Sequence, residues 1–287
     1  MKLTGKVKFV NTNNSLFFAT LKERVDGYFQ ENRISKHANS IMVIKTIVLL
    51  LVYILPFLTL LYLQPSLRVS SLLWLVMGFG VAGIGMSIMH DGNHGAYSAN
   101  KQINYLVAHI LNLLGASTFN WNIQHNIMHH TYTNISDMDE DIGDKPMLRF
   151  SPHSPLKKYH KLQAMYAFFL YGLLSLYWVV AKDYVQFVKY IKNGVNSNTK
   201  KENAMVFSRI IIMKAVYFFT LLVLPTLIFD IPFSEVLLGF VLMHFVAGVV
   251  LAVTFQLAHT VEGTTYPLPN EKGTIEDRKS TRLNSSH

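Results

Sequence analysis

Long apolar segments alternate with polar, basic stretches along this chain. Four of the segments approach or exceed the roughly 20 residues that a helix needs to cross a bilayer. They are residues 41–63, 69–89, 210–229 and 236–258. Only the short loops QPSLR and DIPFSE join the first segment to the second and the third to the fourth. The pattern therefore predicts an all-α membrane protein with four transmembrane helices arranged in two hairpins.

Two further apolar segments, residues 103–119 and 164–181, lie between the hairpins. Lysine and arginine are abundant before the first span and between the second and the third, whereas the hairpin loops carry only Arg68. The positive-inside rule then places the N-terminus and the central region in the cytoplasm. Both segments are therefore expected to be interfacial helices, which form a cytoplasmic layer that carries histidine boxes. Lys45 and Lys214, near the starts of two spans, are expected to extend their amines to the interface.

The composition agrees with a membrane protein that has no nucleic-acid partner. Hydrophobic residues make up 51% of the 287 residues and charged ones 15%, with a mean hydropathy of +0.26. The formal net charge is +9, an excess that in a membrane protein suits loops facing anionic lipid. Cysteine is absent, which excludes disulfides, thiolate-bound metals and iron–sulfur clusters. The first apolar segment begins only near Ile41, so residues 1–40 are predicted to be a cytoplasmic N-terminal arm and not a signal peptide.

Six of the 12 histidines lie at the ends of apolar segments or just beyond them. These are His90, His94, His125, His129, His130 and His259. Within each of the boxes HDGNH and HNIMHH, two histidines are four positions apart, which places both rings on one face of a helix. In the predicted topology all six rings emerge at the cytoplasmic side. The two boxes are therefore predicted to converge with His259 on metal at the membrane surface.

The number and type of these ligands indicate iron. Imidazole binds zinc, copper, iron and nickel, but six rings exceed the four ligands that one zinc ion usually takes. A dinuclear iron centre is therefore predicted. Carboxylate and amide side chains close to the rings are candidates for the contacts that orient metal ligands. They are Asp91, Asn93, Asn126 and Gln256.

Other polar side chains are expected to have structural roles. His109 and His244 are assigned to contacts between helices, and His37 to solvent. His153 and His160 are assigned to a polar loop, with the orientation of a substrate headgroup as the alternative. The acidic run DMDEDIGD, residues 137–144, lacks the spacing and the glycine of an EF-hand. It is expected to be a solvated cap on the cytoplasmic layer. In a second interpretation its carboxylates stabilise nearby cations, including the metal site.

Several motifs together resemble those of one enzyme family. The stretches HDGNH, QHNIMHHTYTN, DEDI, YGLLSLYWV and FQLAHTVE resemble the membrane fatty acid desaturases, in particular bacterial linoleoyl-CoA-desaturase-like proteins of the acyl-CoA or front-end type. The resemblance runs from about residue 7 to about residue 276. It implies a diiron enzyme that uses dioxygen and two electrons to form a cis double bond in an acyl chain carried by CoA or lipid. By motif match, the six histidines would be the iron ligands.

The same resemblance implies partners and a location. Electrons would come from a separate cytochrome b5-like or ferredoxin donor, since the chain has no HPGG heme-binding motif. A narrow apolar tunnel would position the acyl chain, and a basic cytoplasmic face would hold an anionic CoA or phospholipid headgroup. The protein is expected to be an integral multi-pass protein of a bacterial inner membrane, with its N-terminus and histidine boxes in the cytoplasm.

The chain departs from the family pattern in one respect. Family members carry a third histidine box of the QxxHH type downstream of the fourth span, and this chain has none. Residues 41–276 are therefore expected to be an incomplete, C-terminally truncated desaturase domain. The stretch DRKSTRLNSSH, residues 277–287, is expected to be a non-native tail. A native stop codon directly after His287 in the source DNA would contradict that assignment.

We expect the 287-residue chain to lack desaturase activity and to bind iron poorly, because two iron sites need more ligands than these six histidines supply. The iron stoichiometry of the purified protein measures this. Two tightly held irons per chain, together with turnover, would contradict the expectation.

Other functions fit parts of the pattern. A hydroxylase, ketolase or alkane monooxygenase with the same histidine boxes would add oxygen to its product instead of removing two hydrogens. A histidine-rich membrane zinc hydrolase would contain zinc and need no electron donor. A non-catalytic metal sensor or carrier would bind metal reversibly and give no lipid product. The two boxes and the apolar helices favour the desaturase.

Overall fold

The computed structural model describes residues 7–10, 17–136, 138–143, 147–259 and 261–276, which are mostly helical, as predicted. In chain order the elements are β1 (Lys8–Val10), α1 (Phe17–Glu31), α2 (Ser40–Leu63), α3 (Leu67–Gly83), α4 (Met89–Asn93), α5 (Lys101–Leu113), α6 (Thr118–Asn122), α7 (His130–Tyr132), α8 (Gln163–Tyr177), α9 (Asp183–Lys192), α10 (Lys200–Phe218), α11 (Leu224–Ile228), α12 (Phe233–His259) and β2 (Thr274–Glu276). Short π-helical turns continue α3, α6, α8 and α10 over Ile84–Ile88, Ile123–His129, Trp178–Lys182 and Phe219–Val223. A 3-10 turn, Lys158–Leu162, precedes α8.

By length and apolar composition, five helical stretches of the described residues can cross a membrane. They are Ser40–Leu63, Leu67–Asn93, Lys158–Lys192, Lys200–Ile228 and Phe233–His259. Four of them contain the predicted spans to within one residue. The remaining stretch, Lys158–Lys192, contains the segment predicted to be interfacial. Its length and composition fit both a transmembrane helix and an interfacial one. The chain thus has the apolar helices of a multi-pass membrane protein.

The segment predicted as a single helix over residues 103–119 is divided in the structure. Helix α5 ends at Leu113, and the chain turns at Gly115, whose φ of 75° is readily adopted only by glycine. A Cβ atom at Gly115 would also lie 2.6 Å from the ring of Tyr217. The turn directs the chain into α6, which leads directly into the second histidine box.

The two helix hairpins are aligned with each other. The Nε2 atom of Gln64, after α2, donates to the carbonyl oxygen of Phe229, after α11, at 2.6 Å, so both hairpin turns lie at one end of the molecule. At the opposite end the hydroxyl of Tyr97, just after the first histidine box, donates to Oγ1 of Thr46 at 2.9 Å. The histidine boxes therefore lie at the end of the bundle opposite the hairpin turns.

Glycine at helix crossings brings the apolar helices close together. A Cβ atom added at Gly78 of α3 would lie 2.6 Å from the carbonyl oxygen of Met243 in α12. One added at Gly80 would lie 3.0 Å from the backbone nitrogen of Tyr53 in α2. Small residues allow such backbone approach, so α3 is held firmly between its two neighbours and fixes the position of the first histidine box at its end.

Lys214 is buried and does not extend to the interface, so that expectation is wrong. Its side chain is 3% exposed, and its Nζ atom lies 2.8 Å from a carboxylate oxygen of Asp183. Lys214 Nζ also donates to the backbone carbonyls of Gly115 at 2.9 Å and Val179 at 2.7 Å. A charged partner and hydrogen bonds inside the protein replace the aqueous contacts that the lysine would otherwise need.

The N-terminal arm contains a helix, α1, and an unpredicted strand. Strand β1 pairs in parallel with β2, with Lys8 opposite Thr274, so the fold is not purely α-helical. Val7 and Ile275 pack against Ile135, next to the second histidine box. Residues 277–287, Asp137 and Asp144 lie outside the described residues, so the expectations for the tail and for the ends of the acidic run stay predictions.

Candidate metal centre

The structure brings all six predicted histidines together at one end of the bundle. His90 and His94 lie in and at the end of α4, His125 and His129 in the π-helical turn, His130 at the start of α7, and His259 at the end of α12. The Nε2 atoms of His90 and His125 are 3.2 Å apart, and those of His94 and His130 are 3.3 Å apart. The ring centroids of His129 and His259 are 4.7 Å apart. The six rings therefore form one continuous cluster.

The second box adopts a π-helical turn, and not the α-helix from which its spacing was argued. In this turn the rings of His125 and His129 stack, with centroids 5.1 Å apart and planes 18° from parallel. Trp121 stacks on the other side of His125 at a centroid distance of 4.4 Å. π-Helical turns inside helices are frequent at functional sites, and a second one, Ile84–Ile88, precedes the first box.

The donor atoms fall into two groups of three, and each group can hold a metal ion. One group consists of His90, His94 and His125, and the other of His129, Asp139 and His259. Within each group the donor atoms lie within 4.8 Å of one another. The contact between His125 and His129 joins the groups, so two ions would be neighbours.

Asp139 is a site residue that the sequence interpretation did not single out. It is 1% exposed, so the expected solvated cap is wrong at this position. Its carboxylate accepts hydrogen bonds from the backbone N–H groups of Asn134 at 2.9 Å and Asp141 at 3.0 Å, and it lies 3.2 Å from Nδ1 of His129. Asp141 lies 3.4 Å from the same nitrogen and 3.9 Å from Nε2 of His259. The second interpretation of the acidic run, carboxylates beside the metal site, agrees with this geometry.

The four predicted orienting side chains occupy different places around the rings. Asp91 Oδ1 is 3.6 Å from Nδ1 of His90. Asn126 donates to the carbonyl oxygen of Asn93 at 3.1 Å and thereby links the two boxes, while the amide of Asn93 donates to Met89 in its own helix. Gln256 reaches the centre indirectly, by donating to the carbonyl oxygen of Asp141 at 3.1 Å.

Asn134 is a second residue that the sequence interpretation missed. Its side-chain oxygen lies 3.3 Å from Nδ1 of His259. Its φ of 59° is a conformation that asparagine adopts more readily than most residues. The signal available in the sequence was the position of Asn134 at the end of the box, between the histidines and the acidic run.

The other histidines are placed largely as predicted. His244 is fully buried between Ser175 Oγ at 2.7 Å and Tyr217 OH at 2.8 Å, which are contacts between helices. His109 contacts the carbonyl oxygen of Tyr105, one turn earlier in α5, at 2.7 Å. The other three histidines contact backbone groups. His153 contacts the carbonyl oxygen of Tyr266, His160 the backbone N–H of Lys157, and His37, which is only half-exposed, the carbonyl oxygen of Ala96.

His94 and His125 of the first group differ in proton affinity from His129 of the second group. Burial, followed by the neighbouring rings of His129 and His90, lowers the pKa of His125 to about 2. Burial and the rings of His90 and His130 lower the pKa of His94 to about 4. Burial also acts to lower the pKa of His129, but the hydrogen bond with Asp139 and the charge of Asp141 outweigh it, so that pKa is raised. At near-neutral pH His94 and His125 are therefore neutral, whereas His129 retains a proton to higher pH.

This difference predicts that metal binding in the second group releases a proton. A ring with a raised pKa must lose its extra proton before it can bind a cation, so affinity falls as the pH falls. Titration calorimetry with Co²⁺ at pH 6.5, in buffers of different ionisation enthalpy, measures the protons released. The variant Asp139→Asn is expected to release fewer, because the carboxylate that raises the pKa of His129 is gone. Equal proton release by the two proteins would contradict the assignment.

The family model described as fatty acid desaturase matches residues 66–285, a range that includes most of the predicted tail. An acyl-lipid (8-3)-desaturase of Physcomitrium patens is 31% identical over 92% of this chain and 55% of its own length. An sn-1 linoleoyl-lipid 6-desaturase of Arthrospira platensis is 32% identical over 90% of this chain and 69% of its own length. An sn-1 linoleoyl-lipid 6-desaturase of Synechocystis sp. is 30% identical over 96% of this chain and 76% of its own length.

These relatives are longer than the matched chain, which spans about half of the Physcomitrium patens protein and more of the other two. No solved structure matches this chain significantly.

Proposed function

The chain belongs to the fatty acid desaturase family, and from that premise we propose that it forms a cis double bond in an acyl chain, with dioxygen and two electrons, at a histidine-bound diiron centre. The observation that carries the proposal is the gathering of six histidines and Asp139 into two adjacent groups of donor atoms. The relatives are named as desaturases of acyl lipids, which favours an acyl chain esterified in a membrane lipid over an acyl-CoA.

The donor set fits iron. Imidazole and carboxylate ligands suit iron, and the absence of thiolates from the sequence fits an oxygen-activating centre better than an electron-transfer cluster. His90, His94 and His125 would hold one ion, with His130 beside them, and His129 and His259 would hold the second, with the carboxylate of Asp139 behind His129. When bound, the two irons would supply the oxidation that, with dioxygen, removes two hydrogens from neighbouring carbons of the acyl chain.

The protein orients its rings through their Nδ1 atoms. Asp139 faces Nδ1 of His129, and Asn134 faces Nδ1 of His259. A proton held at each Nδ1 by these acceptors leaves Nε2 as the unprotonated donor to metal, as is common for metal-binding histidines. In the first group the Nε2 atoms of His90 and His125 already face each other. The contacts of Asp139 and Asn134 at Nδ1 thus direct the Nε2 atoms of His129 and His259 inward.

We expect Asp139→Ala to weaken metal binding by roughly 10- to 100-fold, the usual cost of losing a carboxylate that supports a metal-binding histidine. Competition titration with Co²⁺ on the purified protein measures the affinity. The matched control is Glu140→Gln, the next residue of the run, whose carboxylate contacts Lys189 at 2.6 Å. The same loss of affinity in both variants would show that Asp139 acts through the fold of the acidic run and not through His129.

The proposal includes four membrane spans, with Lys158–Lys192 as an interfacial helix. Both ends of this helix contact the segment that follows the second box. Near its start, Gln163 donates to the carbonyl oxygen of Arg149 at 3.0 Å, and near its end Lys189 contacts Glu140 at 2.6 Å. A straight crossing would separate its ends by the thickness of the bilayer, so contacts of both ends with one layer support the interfacial placement.

We also propose a location and an electron donor for the site, from the family and from the positions of the basic residues. The basic residues of the N-terminal arm and of the central region favour a cytoplasmic location for both, in a bacterial inner membrane. The electron donor would be a separate cytochrome b5-like protein or ferredoxin.

The test is expression of the complete reading frame that contains this sequence in a bacterial host of defined lipid composition. Mass spectrometry of the fatty acids is expected to show a product lighter by two hydrogens in a lipid-bound acyl chain. A product that gains oxygen would indicate a hydroxylase instead, and purified protein that contains zinc and gives no oxidised product would indicate a hydrolase.

A further inference from the structure

A cavity lies beside the metal centre, on the far side of the two box helices. Its volume is about 860 Å³, within the range of small-molecule binding sites. Its walls are the end of α4, the length of α5, the helical segment of the second box, residues 195–198 and the first half of α10. Among the described residues that line it, none belongs to the six-histidine cluster.

The cavity faces away from the metal centre. Gly92 lines it and lies two positions from both His90 and His94 on the same helix. Ile127 lines it and lies two positions from both His125 and His129. Residues two apart on a helix point to nearly opposite sides. A molecule in this cavity would therefore contact both box helices from behind without reaching the metal ligands.

The polar part of the cavity carries positive charge. Lys101, at the start of α5, and Arg209, in α10, both line it and are both exposed. No acidic side chain is among the described lining residues, and within the described part of the chain neither cation forms an ion pair. Amide side chains, including Asn122 and Asn198, complete this part. Such a surface suits a phosphate or sulfate group.

Apolar side chains also line the cavity. Along α10 the lining continues from Arg209 to Ile210 and Met213, in the direction of the hairpin turns. Tyr105, which also lines the cavity, is 60% exposed, and its ring centroid lies 3.9 Å from that of His109. A surface that combines two exposed cations with apolar side chains matches an amphiphile better than a free anion.

We propose that this cavity binds an anionic membrane lipid, with its phosphate or sulfate at Lys101 and Arg209 and its acyl chain along Ile210 and Met213. The lipid is an accessory ligand and not the substrate, because the box helices separate it from the metal ligands. Its site goes beyond the proposed function and does not depend on it. By contacting Gly92 and Ile127, the bound lipid supports the packing of the two boxes against each other.

Native mass spectrometry of the detergent-solubilised protein tests the site. The probes are dioleoyl phosphatidylglycerol, dioleoyl phosphatidylcholine and water-soluble glycerol 3-phosphate. Phosphatidylglycerol is expected to bind more tightly than both others. The double variant Lys101→Gln/Arg209→Gln should weaken its binding by about 25-fold, since each cation near an anionic lipid contributes roughly fivefold.

The matched control is Arg68→Gln/Lys161→Gln, which removes two exposed cations that do not line the cavity. It is expected to retain the affinity for phosphatidylglycerol. The proposal is overturned if the two double variants lose affinity equally, or if phosphatidylcholine binds as tightly as phosphatidylglycerol. Equal binding of glycerol 3-phosphate would also overturn it, because the site would then recognise a free phosphate and not a lipid. Since none of these readings requires turnover, failure here is distinguishable from failure of the desaturase proposal.

Discussion

Replacement of His129 by alanine is expected to abolish formation of the double bond and to reduce the iron content of the protein. The ring of His129 contacts both donor groups, because it stacks on His125 at 5.1 Å in the first and lies 4.7 Å from His259 in the second. It also faces the buried carboxylate of Asp139. Its removal therefore deprives one ion of a ligand, leaves Asp139 buried without its histidine partner, and separates the two groups. Fatty acid profiles and iron analysis of the protein expressed from the complete reading frame measure both effects.

A histidine outside the cluster provides the control for this prediction. His37 is half-exposed, and the described hydrogen bond of its ring is with a backbone carbonyl, that of Ala96, at 3.3 Å. His37→Ala is therefore expected to retain both product and iron. A His129→Ala protein that still makes the double bond at the yield of the unchanged protein would show that the cluster is not the reaction site.

The helices and the histidine cluster could be predicted because their signals are local. An apolar segment reveals a helix wherever its neighbours lie, and histidines four positions apart share a face in any regular helix. The convergence of the six histidines followed from the hairpin arrangement, because both boxes and His259 lie on the same side of the predicted membrane. The π-helical turn at the second box could not be predicted, because it depends on packing against Trp121 and His259 and not on the residues of the turn alone.

The residues that sequence interpretation missed depend on partners distant in the chain or on burial. An acidic run is usually solvated, and nothing local distinguishes Asp139 from Glu140. Ile135 and Ile142, which are 2% and 1% exposed, anchor the segment in the protein interior and carry Asp139 inward with them. Those two apolar residues around the acidic run were the available signal.

The position of the Lys214 side chain was predicted wrongly for the same reason, since its partner, Asp183, lies 31 positions earlier in the chain. Asp183 is fully buried, and its carboxylate also accepts a hydrogen bond from the backbone N–H of Ser117 at 3.1 Å. Asn120 donates to the backbone carbonyl of Asp183 at 2.7 Å. Ser117 caps α6, which leads into the second box. The ion pair therefore joins α9 and α10 to the start of the helix that carries three of the six histidines.

We expect Asp183→Ala to destabilise the protein by about 3–5 kcal/mol, because removal of one partner leaves the other charge buried and uncompensated. The loss also frees the start of α6, so iron content is expected to fall although no ligand is altered. The apparent thermal unfolding midpoint in detergent, measured together with iron, reports both effects. Lys36→Met provides the control, because it removes one partner of the exposed pair with Asp26 and should leave both quantities unchanged. If Asp183→Ala unfolds at the same temperature as Lys36→Met, the buried pair does not hold the second box in place.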